Sequence, residues 1–249
     1  MPHAPGRKEG NGAAGSPAGS EVGRIDPMEY ASRLREGEAH ERRLEWETAA
    51  GLYDRLLGDL APVAADDRTG RRLRALVRLR RANALMELER WDEARGALDG
   101  ALDDAKASAD GEVLAQALLA AGVYATNRGD TARAEAFLMD ALDRYHRTDD
   151  RAALQGRGWA FLNLAALYGK TARLDLAFVT FTKAQDVLGA AEDWAGVAAA
   201  WEAQAQLRRA IQDEDRWRDD LAEAVVFYDR AAMQEKADRL RGLLGRRLV

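Results

Sequence analysis

Residues 118–141 read LLAAGVYATNRGDTARAEAFLMDA, and this stretch decides the fold. Before the turn at Arg128-Gly129, apolar and small residues recur at intervals of three and four, namely Leu118, Ala121, Gly122 and Ala125. After the turn the same spacing continues in Ala134, Leu138 and Ala141. Such spacing places each set of side chains on one face of an α-helix. Because small residues in both segments let two helix axes approach closely, the stretch predicts a helical hairpin.

The second half of this hairpin recurs along the chain. A central Ala is followed four positions later by a bulky residue at Ala94 and Leu98 and at Ala177 and Phe181; weaker copies are Ala49 with Tyr53 and Ala224 with Tyr228. The central alanines are therefore 40 to 47 residues apart, a repeat length typical of solenoids. All five Pro lie at or before Pro62, which favours helix in the rest of the chain.

These patterns predict an all-α fold, an α-α superhelix of about five helical hairpins that occupies residues 26–249. Residues 234–248 have their own amphipathic period, with Leu240 and Leu244 on the apolar side. We expect this segment to form a C-terminal helix that caps the last hairpin, because the end of a solenoid otherwise exposes an apolar face.

The repeated unit resembles the tetratricopeptide repeat (TPR), in which helix A carries a Leu-Gly or small-residue pair and helix B carries Ala-x3-Phe/Tyr-x2-Ala. The best match is Ala121-Gly122 with Ala134, Leu138 and Ala141; the next is Leu164-Ala165 with Ala177, Phe181 and Ala184. The family period is about 34 residues, and the Pro that usually closes each repeat is missing here. The resemblance therefore implies a divergent, TPR-like solenoid with longer helices or connections and with the A helices on its inner side.

Composition excludes several classes of protein. The chain has no Cys, which excludes disulfide frameworks and thiolate metal sites. Asp and Glu outnumber Lys and Arg by 42 to 37, a balance that opposes nucleic-acid binding. The longest mostly apolar stretch, residues 113–125, is too short to span a bilayer. Residues 1–25 are rich in Gly and contain no signal-like apolar run, so we expect a disordered N-terminal tail and a cytoplasmic protein.

No constellation of residues points to catalysis or to a cofactor. The three His, at positions 3, 40 and 146, are scattered, and no phosphate-binding loop or nucleophile motif is present. Acidic pairs such as Asp103-Asp104 and Asp149-Asp150 suit helix ends and hydrated loops better than they suit a bound ion. We therefore predict that the protein is not an enzyme and has no cofactor or metal site.

The Arg-rich run of residues 71–81 has two interpretations. Arg74, Arg78 and Arg81 share one helical stripe, which would suit a nucleic acid or an acidic peptide. The alternative, favoured by the overall negative charge, is a solvated face whose arginines pair with acids on the following helix, for which Asp99, Asp103 and Asp104 are the candidates.

The tryptophans also have two interpretations. We expect Trp46 and Trp91, each at the entry to a helix B, to belong to the core. Trp194, Trp201 and Trp217 make the last unit rich in Trp. They serve either as core or as an interface through which the chain forms homo-oligomers, and the sequence does not choose between these.

A solenoid that lacks catalytic and cofactor motifs typically binds a protein or peptide partner in its concave groove. On the family frame, the A-helix residues that face the groove form one candidate partner-binding set: Arg80, Asn83, Glu87, Gln116, Asn127, Trp159, Asn163 and Lys170. An Asn amide suits the backbone of a ligand, and Trp159 suits an anchoring contact, although Asn83 and Asn163 can instead bond neighbouring backbone. The leading hypothesis is a non-enzymatic interaction scaffold that binds a peptide or helix. The alternative is a ligand- or peptide-sensing regulator that acts on a separate effector protein.

Overall fold

A computed structural model describes residues 27–62, 67–147 and 149–245. The predicted tail of residues 1–25 lies outside the described residues, as do His3 and residues 246–249. Every regular element in the described part of the chain is an α-helix. The helices are α1 (Pro27–Arg42), α2 (Trp46–Leu60), α3 (Arg68–Glu87), α4 (Trp91–Ser108), α5 (Gly111–Asn127), α6 (Thr131–Tyr145), α7 (Arg151–Lys170), α8 (Leu174–Ala190), α9 (Trp194–Ala210), α10 (Glu214–Arg230) and α11 (Gln234–Leu244).

Consecutive helices pair into five hairpins, α1–α2 to α9–α10, and α11 packs on α10 at the C-terminal end. The odd-numbered helices also touch one another in succession, α3 on α5, α5 on α7 and α7 on α9. These inner helices correspond to helix A of each unit and the even-numbered helices to helix B. The structure thus confirms the predicted all-α superhelix of five hairpins with a terminal capping helix.

Most connections share one backbone geometry. Seven of the described connectors have three residues, and the middle one always has a positive φ: Leu44, Glu89, Gly129, Ala172, Glu192, Gln212 and Ala232. The third residue donates its backbone N–H to a carbonyl five residues earlier, as Asp130 does to Ala125 at 2.9 Å. This is the hydrogen bond of a Schellman cap, which satisfies a carbonyl that the helix leaves open. Because these connectors share one conformation, the helices that they join reverse direction in the same way at each of them.

The regular connectors produce a regular step. Helices α4 to α7 start at residues 91, 111, 131 and 151, and helices α8 to α11 start at 174, 194, 214 and 234, so each series advances by 20 residues per helix. A hairpin therefore occupies about 40 residues. The excess over the 34-residue family period lies in helices of 15 to 20 residues, which the sequence analysis anticipated as longer helices.

Each helix B buries the same register of side chains. The fourth residue of the helix is Ala49, Ala94, Ala134 and Ala177 in α2, α4, α6 and α8, and all four are fully buried. In α10 the fourth residue is Trp217, so the position equivalent to the central Ala is Trp217. The sequence pattern predicts it seven residues later, at Ala224. Trp217 is accommodated there beside small side chains of the neighbouring helices, namely Ala198 and Ala205 of α9 and Ala237 of α11.

The Arg-rich run is largely neutralised within the fold. Asp104 on α4 is buried, and Arg71, Arg74 and Arg78 of α3 all place guanidinium nitrogens within 3.5 Å of its carboxylate. Arg81 pairs instead with Asp54 and Glu93. The interpretation of a paired face is confirmed for Asp104. Asp99 was a wrong candidate, since its carboxylate pairs with Arg95 on its own helix.

The tryptophans are divided between core and margin. Trp217 is buried, whereas Trp194 and Trp201 are half-buried; Trp194 stacks on Phe227 and carries the Arg230 guanidinium 3.4 Å above its ring. Trp46 and Trp91 lie at the edge of the core rather than inside it, because each is the first residue of its helix and lies beside a connector. Trp201 packs at the edge of the two clusters to which α9 contributes.

Among the described helices, none combines the length and the apolar composition needed to cross a bilayer.

Candidate functional site

The inner helices form a concavity of about 510 Å³ between α1, α3, α5 and α7. Its floor is apolar and consists of side chains from the middle of the helices: Leu34, Leu76, Leu79, Leu119, Ala120 and Val123. Its rim is polar and consists of Glu38, Arg80, Asn83, Gln116, Trp159 and Asn163. An apolar floor with a few polar groups at the edge is the usual composition of a binding groove.

Arg80 is held at the rim by two carboxylates of α1. Its guanidinium lies 2.8 Å from Glu38 and 3.2 Å from Glu41. Glu41 also accepts a 2.7 Å hydrogen bond from the Tyr53 hydroxyl. Burial of the Tyr53 ring and this bond raise the pKa of the phenol, so Tyr53 remains a neutral donor. Arg80 is thus a fixed part of the groove wall.

The opposite rim is organised by α7 and the start of α9. The Trp159 indole N–H donates to Asp193 at 2.9 Å, and the Gln155 amide donates to the same carboxylate oxygen at 2.8 Å. Asn163 donates its side-chain amide to the Trp159 carbonyl at 2.8 Å, which is the local backbone bond considered as the alternative for this residue. The indole ring is therefore fixed in orientation and half-buried, with one edge on the groove.

Asn83 differs from its neighbours on the rim. Gln116 donates to Glu112 at 3.2 Å, but the half-buried Asn83 amide has no hydrogen-bond partner among the described residues. It therefore presents both a donor and an acceptor to the groove. A backbone peptide group of a ligand needs that combination.

The concavity contains five of the eight candidate residues: Arg80, Asn83, Gln116, Trp159 and Asn163. The other three, Glu87, Asn127 and Lys170, are exposed and are not part of its lining. Each of the three is the last residue of its inner helix, so it lies at the connector end, whereas the concavity lies against the middle of the helices.

Sequence reasoning missed the floor and the part that α1 plays. Leu34 and Glu38 belong to a helix for which no repeat motif was recognised, and Leu76, Leu119 and Val123 are apolar residues outside the stripe that packs on helix B. One signal was available: α5 carries apolar residues on both faces, more than a single buried stripe requires. Apolar residues on the face opposite the buried stripe indicate a second contact surface.

Within the described residues, no group of three or more His, Asp or Glu side chains is placed to hold a metal ion. Three of the four carboxylates in the two acidic pairs have structural partners. Asp104 pairs with Arg71, Arg74 and Arg78, Asp149 pairs with Arg157 at 2.8 Å, and Asp150 accepts the Ala153 N–H at the start of α7.

Comparison with known proteins shows the fold but not the family. No family model matches the chain, and no curated protein matches it significantly. Among solved structures, BtubC (BKLC) from P. vanneervenii is 18% identical, with a TM-score of 0.59 over 90% of this chain and 86% of that one. The TPR-like repeats of a Podosopora anserina protein described as a kinesin light chain are 12% identical, with a TM-score of 0.60 over 84% of this chain and 100% of that one.

At these identities the likeness concerns architecture. The chain has a TPR-like fold, as the resemblance of its repeats implied, and its repeats are divergent from that pattern.

Proposed function

We propose that the protein is a non-enzymatic interaction scaffold that binds a peptide or helix of a protein partner in its concave groove. One observation carries the proposal: four inner helices bring an apolar floor and the polar rim residues Asn83 and Trp159 into one concavity. Half-exposed leucines between fixed polar groups suit a ligand that has an apolar face and peptide groups at its edge.

The charge of the rim specifies the ligand further. Carboxylates surround the groove, because Glu38 and Glu41 flank Arg80, Glu112 contacts Gln116, and Asp193 contacts Trp159. Four acids therefore face one guanidinium among the rim residues and their partners. We expect a partner segment whose apolar face is flanked by Lys or Arg, and whose association weakens as salt concentration rises.

The test is affinity purification of the tagged protein from its native cell at two salt concentrations, followed by binding measurements on the recovered protein. The double variant Asn83→Ala, Trp159→Ala should bind that protein at least about tenfold more weakly, since a groove anchor typically contributes more than 1 kcal/mol. The matched control is Asn127→Ala with Lys170→Ala, which alters exposed residues of the inner helices α5 and α7 outside the concavity and should leave affinity unchanged.

Two outcomes contradict the proposal. If both double variants bind the partner as the wild type does, the groove is not the binding site. If the purified protein carries a bound small molecule and no stoichiometric protein, the sensing regulator is the better description. Melting curves of both variants establish that any loss of binding is not a loss of folding.

A further inference from the structure

A second cavity lies on the other side of the inner helices, between α4 and α6. It has a volume of about 680 Å³ and lies over the C-terminal half of α5. We call it the α4–α6 slot and define it by its apolar walls, which are Leu98, Leu102, Tyr124, Ala125 and Phe137. Charged side chains of both signs surround the mouth, among them Arg95, Arg128 and Asp130.

The repeat provides an internal comparison for this slot. Each of the helices α4, α6, α8 and α10 has an equivalent residue six positions before its start: Leu85, Ala125, Tyr168 and Arg208. In every case the carbonyl of this residue accepts the backbone N–H of the third connector residue at 2.9 Å. These four residues therefore occupy equivalent places between successive B helices. Three of them are large and only Ala125 is small, so the slot exists because Ala125 does not fill it.

At two of the other junctions, an aromatic ring under a guanidinium fills this space. Between α6 and α8, the Arg173 guanidinium lies 4.3 Å from the centre of the Tyr168 ring and forms two hydrogen bonds with Glu135, at 3.0 and 2.9 Å. Between α8 and α10, the Arg208 guanidinium lies 4.4 Å from the centre of the Phe178 ring. A cation over an aromatic face is favourable in this setting.

The α4–α6 slot has charged groups at equivalent positions, but no ring occupies the place of Tyr168, because that residue is Ala125. Arg95 is the fifth residue of α4, the position that Glu135 has in α6. Asp130 directly precedes α6, as Arg173 directly precedes α8. The base and the acid of the Arg173–Glu135 ion pair have therefore exchanged places at this junction. The two side chains do not bridge the slot. Arg95 lies 3.9 Å from Asp99 and Asp130 lies 3.6 Å from Arg133, each on its own helix or cap. Both side chains are exposed at the mouth and are paired only within their own helix or cap.

We propose that the α4–α6 slot is a second binding site, which takes a tyrosine side chain presented by a protein partner. The ring occupies the space that Tyr168 fills at the next junction, against Leu98, Leu102 and Phe137. Arg95 covers the ring as Arg173 covers Tyr168, and Arg95 and Asp130 offer a donor and an acceptor to the phenol hydroxyl.

The test uses N-acetyl-L-tyrosinamide as the probe and follows the methyl NMR signals of Leu98 and Leu102. We expect saturable shifts of these signals in the wild type. Ala125→Tyr supplies the ring from within the chain and should weaken probe binding by about tenfold or more. The matched control is Ala120→Tyr, which places the same side chain in the concave groove and should leave the shifts of Leu98 and Leu102 unchanged.

A milder variant covers the case in which Ala125→Tyr does not fold. The Arg95 side chain is about two-thirds exposed, so Arg95→Gln should leave the melting temperature unchanged and weaken the probe by about threefold through loss of the cation. Absence of shifts in the wild type, or equal binding of N-acetyl-L-leucinamide, overturns the proposal. So does an Arg95→Gln variant that binds the probe as the wild type does. None of these outcomes bears on the concave groove, whose test uses Asn83 and Trp159.

Discussion

Single residues with positive φ hold the connectors in shape, and only one of them is Gly. Ala172 and Ala232 adopt φ of 57° in the connectors before α8 and α11. This conformation costs a residue with a Cβ about 1 kcal/mol of free energy and costs Gly little. The recurring Schellman cap outweighs that strain at each junction.

The first prediction follows from this conformation. Ala172→Gly or Ala232→Gly should raise the free energy of unfolding by about 0.5–1 kcal/mol, measured by urea denaturation. The same substitution at Ala222, exposed within α10, should lower it by about 1 kcal/mol because Gly is unfavourable inside a helix. If Ala to Gly changed the free energy of unfolding in the same direction at the connector and helix sites, the connector alanines would not be strained.

Gly122 shows the opposite constraint, a close approach between two helices. A Cβ at this position would lie 2.7 Å from Leu138 side-chain atoms on α6, a distance that requires Leu138 to move. The small residue recognised in the sequence motif is therefore needed for contact with the bulky residue of the same motif.

The second prediction is a double-mutant cycle on this pair. Gly122→Ala should destabilise the protein by about 1–3 kcal/mol through overpacking, although Gly to Ala inside a helix ordinarily stabilises it. In the Leu138→Ala background the same change should cost much less, since the obstructing side chain is gone. Additive free energies of unfolding would show that the two residues do not meet as described.

At the scale of elements, an ion pair joins α6 to the connector before α8. The hydrogen bonds from Arg173 lower the pKa of the Glu135 carboxyl below its usual value of about 4.5. A carboxyl whose pKa is lower in the folded state stabilises the fold above its ordinary pKa. That contribution disappears as the pH falls through the lowered value.

The third prediction compares Glu135→Gln with the wild type across pH. The variant should be less stable at pH 7, and the difference in free energy of unfolding should shrink to nothing as the pH falls below the lowered pKa of Glu135. Glu223→Gln removes an exposed carboxylate without an ion pair among the described residues and serves as the control. A pH-independent difference for Glu135→Gln would assign the effect to packing instead.

The hairpins themselves could be predicted from the sequence, because Ala134 and Leu138 in α6 recur at the same spacing in Ala177 and Phe181 of α8. The fifth frame could not, because Trp217 stands where the pattern requires a small residue, and Ala224 with Tyr228 imitates the motif seven positions later. Its true register depends on the small residues of α9 and α11 around Trp217, which only the packed structure brings together.

The candidate site could be predicted in part for a related reason. Asn83 and Trp159 follow from the family frame, since that frame states which helix faces turn inward. Leu34 and Leu119 depend on how closely α1, α3 and α5 approach, a tertiary property that no local pattern records. The family frame also predicts Glu87, Asn127 and Lys170, because it states which way a helix face points but not how far along the helix the groove extends.

At the scale of the whole molecule, the two helices of a hairpin pack on each other, and each hairpin packs further on the hairpins next to it in sequence. The C-terminal end depends on α11, whose Ala237 and Leu240 are buried against the cluster of Trp217, Leu221 and Tyr228. In such an array the loss of a contact acts locally, because stability is a sum over adjoining units.

The fourth prediction tests this locality. Leu240→Ala should cost about 2–5 kcal/mol and should accelerate amide hydrogen exchange in α9, α10 and α11, with little change in α3 and α4. Leu243→Ala, at a half-buried position of the same helix, should have a smaller effect. Uniform acceleration along all described helices would show that the molecule opens as one cooperative unit.

Within α4 to α7 and within α8 to α11, the twenty-residue step makes forty residues the length of one inner and one outer helix. A whole block of that length is therefore the natural unit by which such an array lengthens or shortens. Junction residues such as Ala125 and Tyr168 can then be exchanged between blocks, which lets one architecture acquire or lose an outer recess through a single codon.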